Sequence, residues 1–275
     1  MFPRPRAIPW PWRRHTLTDP RGGSAAEWPA GVGRVVLDET DSTNAEAMRR
    51  ALPGVGRQWI MARRQTGGRG RRGRPWVDIP GNLAATLLLP GPGPASVAAQ
   101  YSFVAALALS DALALAAGPS ARIALKWPND VLLSGGKVAG ILLESAGRGA
   151  EVTALAVGIG VNLAAAPDPA SLEAGAARPV SLAAEAGIAI APEAFLDLLA
   201  PAFAAREARF RAEGFGPTRE AWLARAARLG ETISARTGAA CRTGRFEGID
   251  AAGALILATA AGREAIPAAD VYFDG

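Results

Sequence analysis

Lys126-Trp127-Pro128-Asn129-Asp130-Val131-Leu132-Leu133-Ser134-Gly135-Gly136-Lys137 holds both lysines of a chain with 30 basic residues; all the others are arginine. Arginine presents a planar fork, whereas lysine is a compact ammonium whose three donors follow a moving phosphate or carboxylate oxygen. A chain that uses arginine for every generic positive charge has kept lysine where an ammonium is needed. The segment reads as a strand, 122–127, entering a loop, with a second strand leaving it at 137–145. It pairs two ammonium groups with the Asp130 carboxylate and the Asn129 amide. Lys126 and Lys137 can neutralise phosphate charge that develops in a transition state. Asp130 can help hold Mg²⁺ or steer an incoming amine. Asparagine is as sparing: Asn44, Asn82, Asn129 and Asn162 are the only four.

Working outward, the next motif is Gln65-Thr66-Gly67-Gly68-Arg69-Gly70-Arg71-Arg72-Gly73-Arg74-Pro75-Trp76. Interleaved glycines let a backbone approach a ligand closely. Four arginines in six positions make electrostatic sense around phosphate or carboxylate oxygens. Such a loop is expected to be mobile without ligand and ordered with it. The spacing matches neither a Walker loop nor a dinucleotide fingerprint. Val157-Gly158-Ile159-Gly160-Val161-Asn162 places two glycines in a strand, a sign of a ligand or backbone close by. Asn162 offers a donor and an acceptor that suit an adenine edge, or else caps a bulge. Asp41-Ser42-Thr43-Asn44 reads as a helix N-cap, and exposed hydroxyls there can also bind a polar head group. The site is therefore expected from 42–44, 65–76, 126–142 and 158–162.

Composition narrows the chemistry. The single cysteine, Cys241, excludes an internal disulfide framework and a cysteine-rich zinc site. The single histidine, His15, leaves no histidine cluster for a metal and makes a Ser-His-Asp triad implausible. A net charge of +5 and a pI near 10.3 invite a nucleic-acid reading. With no recognition module in the sequence, arginine bias plus a site for anionic substrates explains the charge better. Residues 1–30 form a Pro/Arg/Trp-rich extension with no apolar segment after the arginines, so a secretory signal is not expected. Its tryptophans, Trp10, Trp12 and Trp28, are candidates to lie against the rest of the chain. The apolar run 97–117 is long enough to raise a membrane question, but Gln100 and Asp111 interrupt it. A buried amphipathic helix is the better reading.

Strands are expected at 34–38, 59–62, 83–89, 122–127, 137–145 and 152–158. Pro90-Gly91-Pro92-Gly93-Pro94 should break the third. Helices are expected from the 41–44 cap to about 52, at 97–117, 192–213 and 217–228, and a loop at 164–187. After Gly230, short alternating segments at 231–237, 240–249, 253–258 and 263–273 predict a small β-barrel of four or five strands. The domains expected are 31–228 and 229–275.

In order and spacing, Gly68-Arg69-Gly70-Arg71-Arg72-Gly73-Arg74 with Trp76, Lys126-Trp127-Pro128-Asn129-Asp130 with Lys137, and Gly158-Ile159-Gly160-Val161-Asn162 resemble the biotin protein ligases over roughly 34–275. Gly248-Ile249-Asp250 with Gly253-Ala254-Leu255 resembles that family's SH3-like domain. The resemblance implies an α+β fold: a mixed sheet with helices packed on one side, related to class II aminoacyl-tRNA synthetases, plus the small C-terminal barrel. It implies a cytoplasmic enzyme, monomer or homodimer, that uses Mg·ATP and biotin to make biotinyl-5′-AMP. A lysine of biotin carboxyl carrier protein then takes the biotinyl group. By position, Ser42, Thr43, Asn44 and Gln65 would hold the biotin ring. Arg69, Gly70, Arg71 and Arg74 would close over the intermediate, with Arg72 and Trp76 on the ATP side. Lys137 would meet the carboxylate and α-phosphate, and the backbone of Gly140 and Leu142 would follow the biotin tail. Lys126, Asn129 and Asp130 would serve phosphate, metal and acceptor lysine, and Asn162 the adenine. The thirty residues before the first strand do not suit a helix-turn-helix, so a repressor role is not expected. Residues 164–194 lack an aromatic that could stack on adenine. The alternatives are a lipoate or octanoate ligase of the same fold and a non-catalytic nucleic-acid-binding protein.

Overall fold

A computed structural model describes residues 27–171, 176–237 and 240–273. Trp10, Trp12, His15 and most of the N-terminal extension lie outside the described residues. Trp28 is described, and it packs against the main core. Its indole N–H donates to Val32 O at 2.7 Å, and the Arg34 guanidinium lies over its ring.

Seven strands form one mixed sheet: β1 (Gly33–Leu37), β2 (Gln58–Ala62), β3 (Leu83–Pro94), β4 (Ile123–Lys126), β5 (Asp130–Leu133), β6 (Gly136–Arg148) and β7 (Glu151–Val161). Their spatial order is β1-β2-β3-β7-β6-β5-β4. The β1–β2 pair is parallel and the others are antiparallel. One face is covered by α2 (Ala95–Ala117), α4 (Pro192–Glu213) and α5 (Phe215–Leu223). Trp59, Met61 and Leu87 point into that layer beside Phe195, Phe203 and Trp222. The opposite face carries α1 (Thr43–Arg50), over a small cluster of Ala47, Ile60, Leu88 and Ala156. Leu83–Leu89 is apolar except for Thr86, and all seven residues are buried because both faces of β3 are covered.

The α2 helix is long and apolar enough to cross a membrane, yet it is a core helix. Val104 to Leu109 are buried without interruption. Beneath it, Glu207 of α4 is 3% exposed. Arg57 grips its carboxylate with two guanidinium nitrogens at 2.6 and 2.8 Å, and the Tyr101 hydroxyl donates to it at 2.9 Å.

Four expectations are corrected. The Pro/Gly stretch 90–94 does not end β3, which runs to Pro94 with a register shift between Pro90 and Gly93. Beyond Leu88 the strand pairs with β7 alone, so a proline there need not supply a ladder N–H on its free side. The lysine loop contains β5, a strand too short to read from periodicity. Ser134 and Gly135, at φ 50° and 83°, turn it into β6. The segment 164–187 contains α3 (Leu182–Ala186), capped by the Ser181 hydroxyl accepting from Ala184 N. The last helix stops at Leu223, because Leu125 N and O bond the backbone at 225 and 227.

A second, antiparallel sheet follows: β8 (Thr232–Thr237), β9 (Ala240–Ile249), β10 (Leu255–Thr259), β11 (Gly262–Ile266) and β12 (Asp270–Tyr272), in the order β11-β10-β9-β8-β12. It docks on α2 and α5. Trp127 Nε1 donates to Gly253 O at 3.0 Å, and Arg219 Nε to Ile249 O at 2.6 Å.

Candidate active site

Strand register builds the site. One transverse row runs across all seven strands: Leu37, Ala62, Ala84, Gly160, Gly140, Asp130 and Lys126. Residues in such a row face the same side of a sheet. The middle members are alanine and glycine, which leaves a trough, and Asp130 and Lys126 stand at one end of it. A second row, Ile60, Thr86, Gly158 and Leu142, runs under α1. The glycines are needed for space. A Cβ on Gly158 would meet Asn44 Oδ1 at 2.2 Å, and one on Gly160 would meet the Trp76 ring at 2.6 Å.

Above this floor is a cavity of about 450 Å³, within the range usual for ligand sites. Its first end is polar and neutral. Thr43 N and Oγ1 both donate to Gln65 Oε1, at 2.8 and 3.1 Å. Thr86 Oγ1 lies 2.8 Å from Thr43 Oγ1 and 2.7 Å from Asn44 Oδ1, and Asn44 Nδ2 donates to Leu142 O at 3.2 Å. Ser42 occupies the N-cap position, but its side chain makes no cap bond. It is 4% exposed and faces the cavity.

The second end is cationic. Arg69, Arg71, Arg74, Lys126 and Lys137 line it, against Asp130 and Asp270. Lys137 Nζ is 2.6 Å from Asp130 Oδ1 and 5.9 Å from the Trp76 ring centre. Burial pushes the Lys126 ammonium below the ordinary lysine range, with Asp130 opposing the shift. Its Nζ sits 5.1 Å from the Phe273 ring centre. Burial also lowers the Arg71 guanidinium, again against a carboxylate, Asp270.

The glycine/arginine loop is a small hairpin. Gly70 N donates to Arg74 O at 2.7 Å and Trp76 N to Gly68 O at 2.9 Å. Arg72 sits at its tip with φ 56°. Arg69 reaches Glu144 at 3.3 Å.

All but one of the residues expected from sequence reach this cavity. Ser42, Thr43, Asn44, Gln65, Arg69, Gly70, Arg71, Arg74, Trp76, Lys126, Asn129, Asp130, Lys137, Gly140, Leu142 and Asn162 line it. Arg72 does not; it pairs with Asp270 from the outer side of the loop. Two others have structural duties. Asn129 Nδ2 donates to Ile141 O, tying the 127–129 turn to β6. Asn162 Nδ2 donates to Val180 O, while its Oδ1 faces Asn82 Nδ2 at 3.4 Å. Both ends of the Asn162 amide therefore have protein partners. Sequence reading missed Thr86 and Asp270. Thr86 lies inside an apolar strand, a detectable polar exception. Asp270 is an isolated carboxylate brought in from the second sheet, with no local signal.

A neutral polar end, a cationic end and a flat glycine floor between them suit a carboxylic acid joined to a nucleotide, which is the site of an acyl-adenylate-forming ligase. The chain belongs to the biotin/lipoate A/B protein ligase family, in its biotin protein ligase branch. It matches that family over residues 32–162 and the biotin protein ligase C terminal domain over 229–274. It is 64% identical over 241 residues to the biotin–[acetyl-CoA-carboxylase] ligase of Paracoccus denitrificans, covering 87% of this chain and 100% of that protein. A bifunctional ligase/repressor of Bacillus subtilis is 33% identical over 215 residues, 77% of this chain and 65% of that protein. Among solved structures, the biotin protein ligase from Aquifex aeolicus in complex with biotin and ATP superposes with a TM-score of 0.70 at 26% identity. That match covers 87% of this chain and 97% of that one.

Proposed function

We propose that this enzyme joins biotin to a lysine of biotin carboxyl carrier protein at the expense of ATP. A biotin carboxylate oxygen attacks the α-phosphorus, the bond to the bridging oxygen breaks, and pyrophosphate leaves. The acceptor amine then attacks the acyl carbon of biotinyl-5′-AMP, the anhydride C–O bond breaks, and AMP leaves. The observation that carries this reading is the transverse row ending in Asp130 and Lys126, with Lys137 beside it over Gly140. It supports a single seat for the anhydride.

In this reading Ser42, Thr43, Asn44 and Gln65 hold the ureido ring, since a urea needs donors and acceptors close together. Gly140 and Leu142 lie along the tail. Lys137 meets the carboxylate and the α-phosphate. Lys126, Arg71 and Arg74 offset charge on the polyphosphate, and Trp76 is an aromatic face of the cavity that adenine can use. Asp130 receives or steers the acceptor amine. Among the described residues, no group of three His, Cys, Asp or Glu side chains could hold a metal. Asp130 Oδ1 is buried and contacts Lys137 off the hydrogen-bond direction. One such carboxylate plus phosphate oxygens suffices for Mg²⁺, which would neutralise phosphate charge. The division at residue 229 and a cytoplasmic setting belong to the same reading. The second sheet and the ATP requirement support them, respectively.

The test mixes the protein with biotin, Mg·ATP and a carrier domain, with lipoate and octanoate as competitors in pyrophosphate exchange. Biotin-dependent exchange and a mass-shifted acceptor are expected. Absence of both, or exchange driven better by lipoate, overturns the reading.

A further inference from the structure

Asp270, on β12 of the second sheet, pairs with three arginines. Its side chain belongs to the cavity wall and the residue is 9% exposed. Three arginines of one short loop converge on it. Arg74 Nη2 donates to Oδ2 at 2.6 Å, Arg72 Nη1 to Oδ2 at 2.8 Å, and Arg71 Nη1 to Oδ1 at 3.3 Å. Arg71 Nη1 also donates to Ala269 O at 3.1 Å. Three guanidinium groups share this one carboxylate, and Arg71 also lies in the field of Asp130.

We propose that Asp270 is a latch on the arginine loop that competes with nucleotide phosphate for the same guanidinium groups. Its carboxylate holds the arginine loop in the closed hairpin before nucleotide arrives, and is exchanged for phosphate oxygens when it does. Charge-assisted bonds of this kind are the strong ones, and a polyphosphate offers more charge and more acceptors than one carboxylate. The exchange therefore runs toward nucleotide. It also links the two sheets, because the carboxylate and the arginines come from different ones.

The phosphate half of this inference rests on the ATP reading above; the loop half does not. The test is digestion of the full chain by trypsin, which cuts after arginine. Asp270→Asn should speed cleavage within 69–74 by at least about fivefold without ligand. Biotin plus Mg·ATP should restore protection in that variant. In pyrophosphate exchange, Asp270→Asn should lower KM for ATP by about three- to tenfold, with kcat within about twofold, because phosphate no longer displaces a carboxylate. Asp270→Glu keeps the charge and should keep the trypsin resistance. Equal cleavage of the unmodified chain and Asp270→Asn overturns the loop anchor. Equal loss of resistance in the Asn and Glu variants marks a packing role and also overturns it. A raised KM for ATP in Asp270→Asn overturns the exchange.

Discussion

At the residue scale, the two lysines differ in burial and therefore in what their removal changes. Lys137 is partly open and paired with Asp130, and in the proposed reaction it meets the carboxylate and the α-phosphate. Lys137→Ala removes an ammonium from the point at which negative charge develops. Pyrophosphate exchange should fall by about 10²- to 10³-fold, with the fold intact by circular dichroism. Lys126 is buried, and its affinity for a proton is depressed from the ordinary 10.5. Between its folded pKa and that unfolded value, the unfolded chain binds more protons, so this group makes stability rise with pH in that window. Below it the charged form costs stability in full. Lys126→Met should therefore raise the unfolding midpoint at neutral pH by about 2–4 °C and flatten the alkaline gain, while abolishing adenylation. A midpoint that falls would show that Asp130 needs Lys126 more than burial opposes it. Function here keeps an ammonium that the fold alone would discard.

At the element scale, what the sequence revealed depends on how local the cause is. β2, the first seven residues of β3, α2 and α4 follow from apolar runs and periodicity. The site motifs were legible because glycine, lysine and asparagine are placed by local rules: space under a ring, a point charge, a cap. β5 was not legible, since four residues give no period. Its existence is fixed by the Ser134–Gly135 turn and by pairing on both sides. The continuation of β3 through three prolines was hidden for a related reason: tolerance depends on which side of the strand is unpaired, and sequence does not say. The Arg57–Glu207–Tyr101 triad was equally hidden, being assembled from β2's approach, α4 and α2. It fixes α4 against the sheet at a point where Glu207 is only 3% exposed. Glu207→Ala leaves Arg57 without its carboxylate and opens a gap under Phe203 and Tyr101. The expected loss is about 3–5 kcal/mol in denaturant unfolding, with biotin affinity unchanged because the trough lies on the other face of the sheet.

At the scale of the whole molecule, the cavity is complete only when the second sheet is docked, because Asp270, Val271 and Tyr272 form one of its walls. Docking depends on a close approach at Gly253. Its φ is 90°, and a Cβ there would stand 2.7 Å from the Phe103 ring on α2. The carbonyl of the same residue accepts from Trp127, the residue that follows Lys126. Gly253→Val adds a left-handed backbone penalty to a clash with a buried ring, and should cost about 2–4 kcal/mol. The larger effect is geometric. If the sheet lifts from α2, Trp127 loses its acceptor and the cationic end of the cavity loses its wall, whereas Ser42, Thr43, Asn44 and Gln65 remain anchored to α1 and β3. Biotin binding by calorimetry should therefore change by less than about threefold, while KM for ATP rises by about tenfold or more. A variant that binds ATP normally with its second sheet unfolded would show that the nucleotide end is built by the seven-stranded sheet alone.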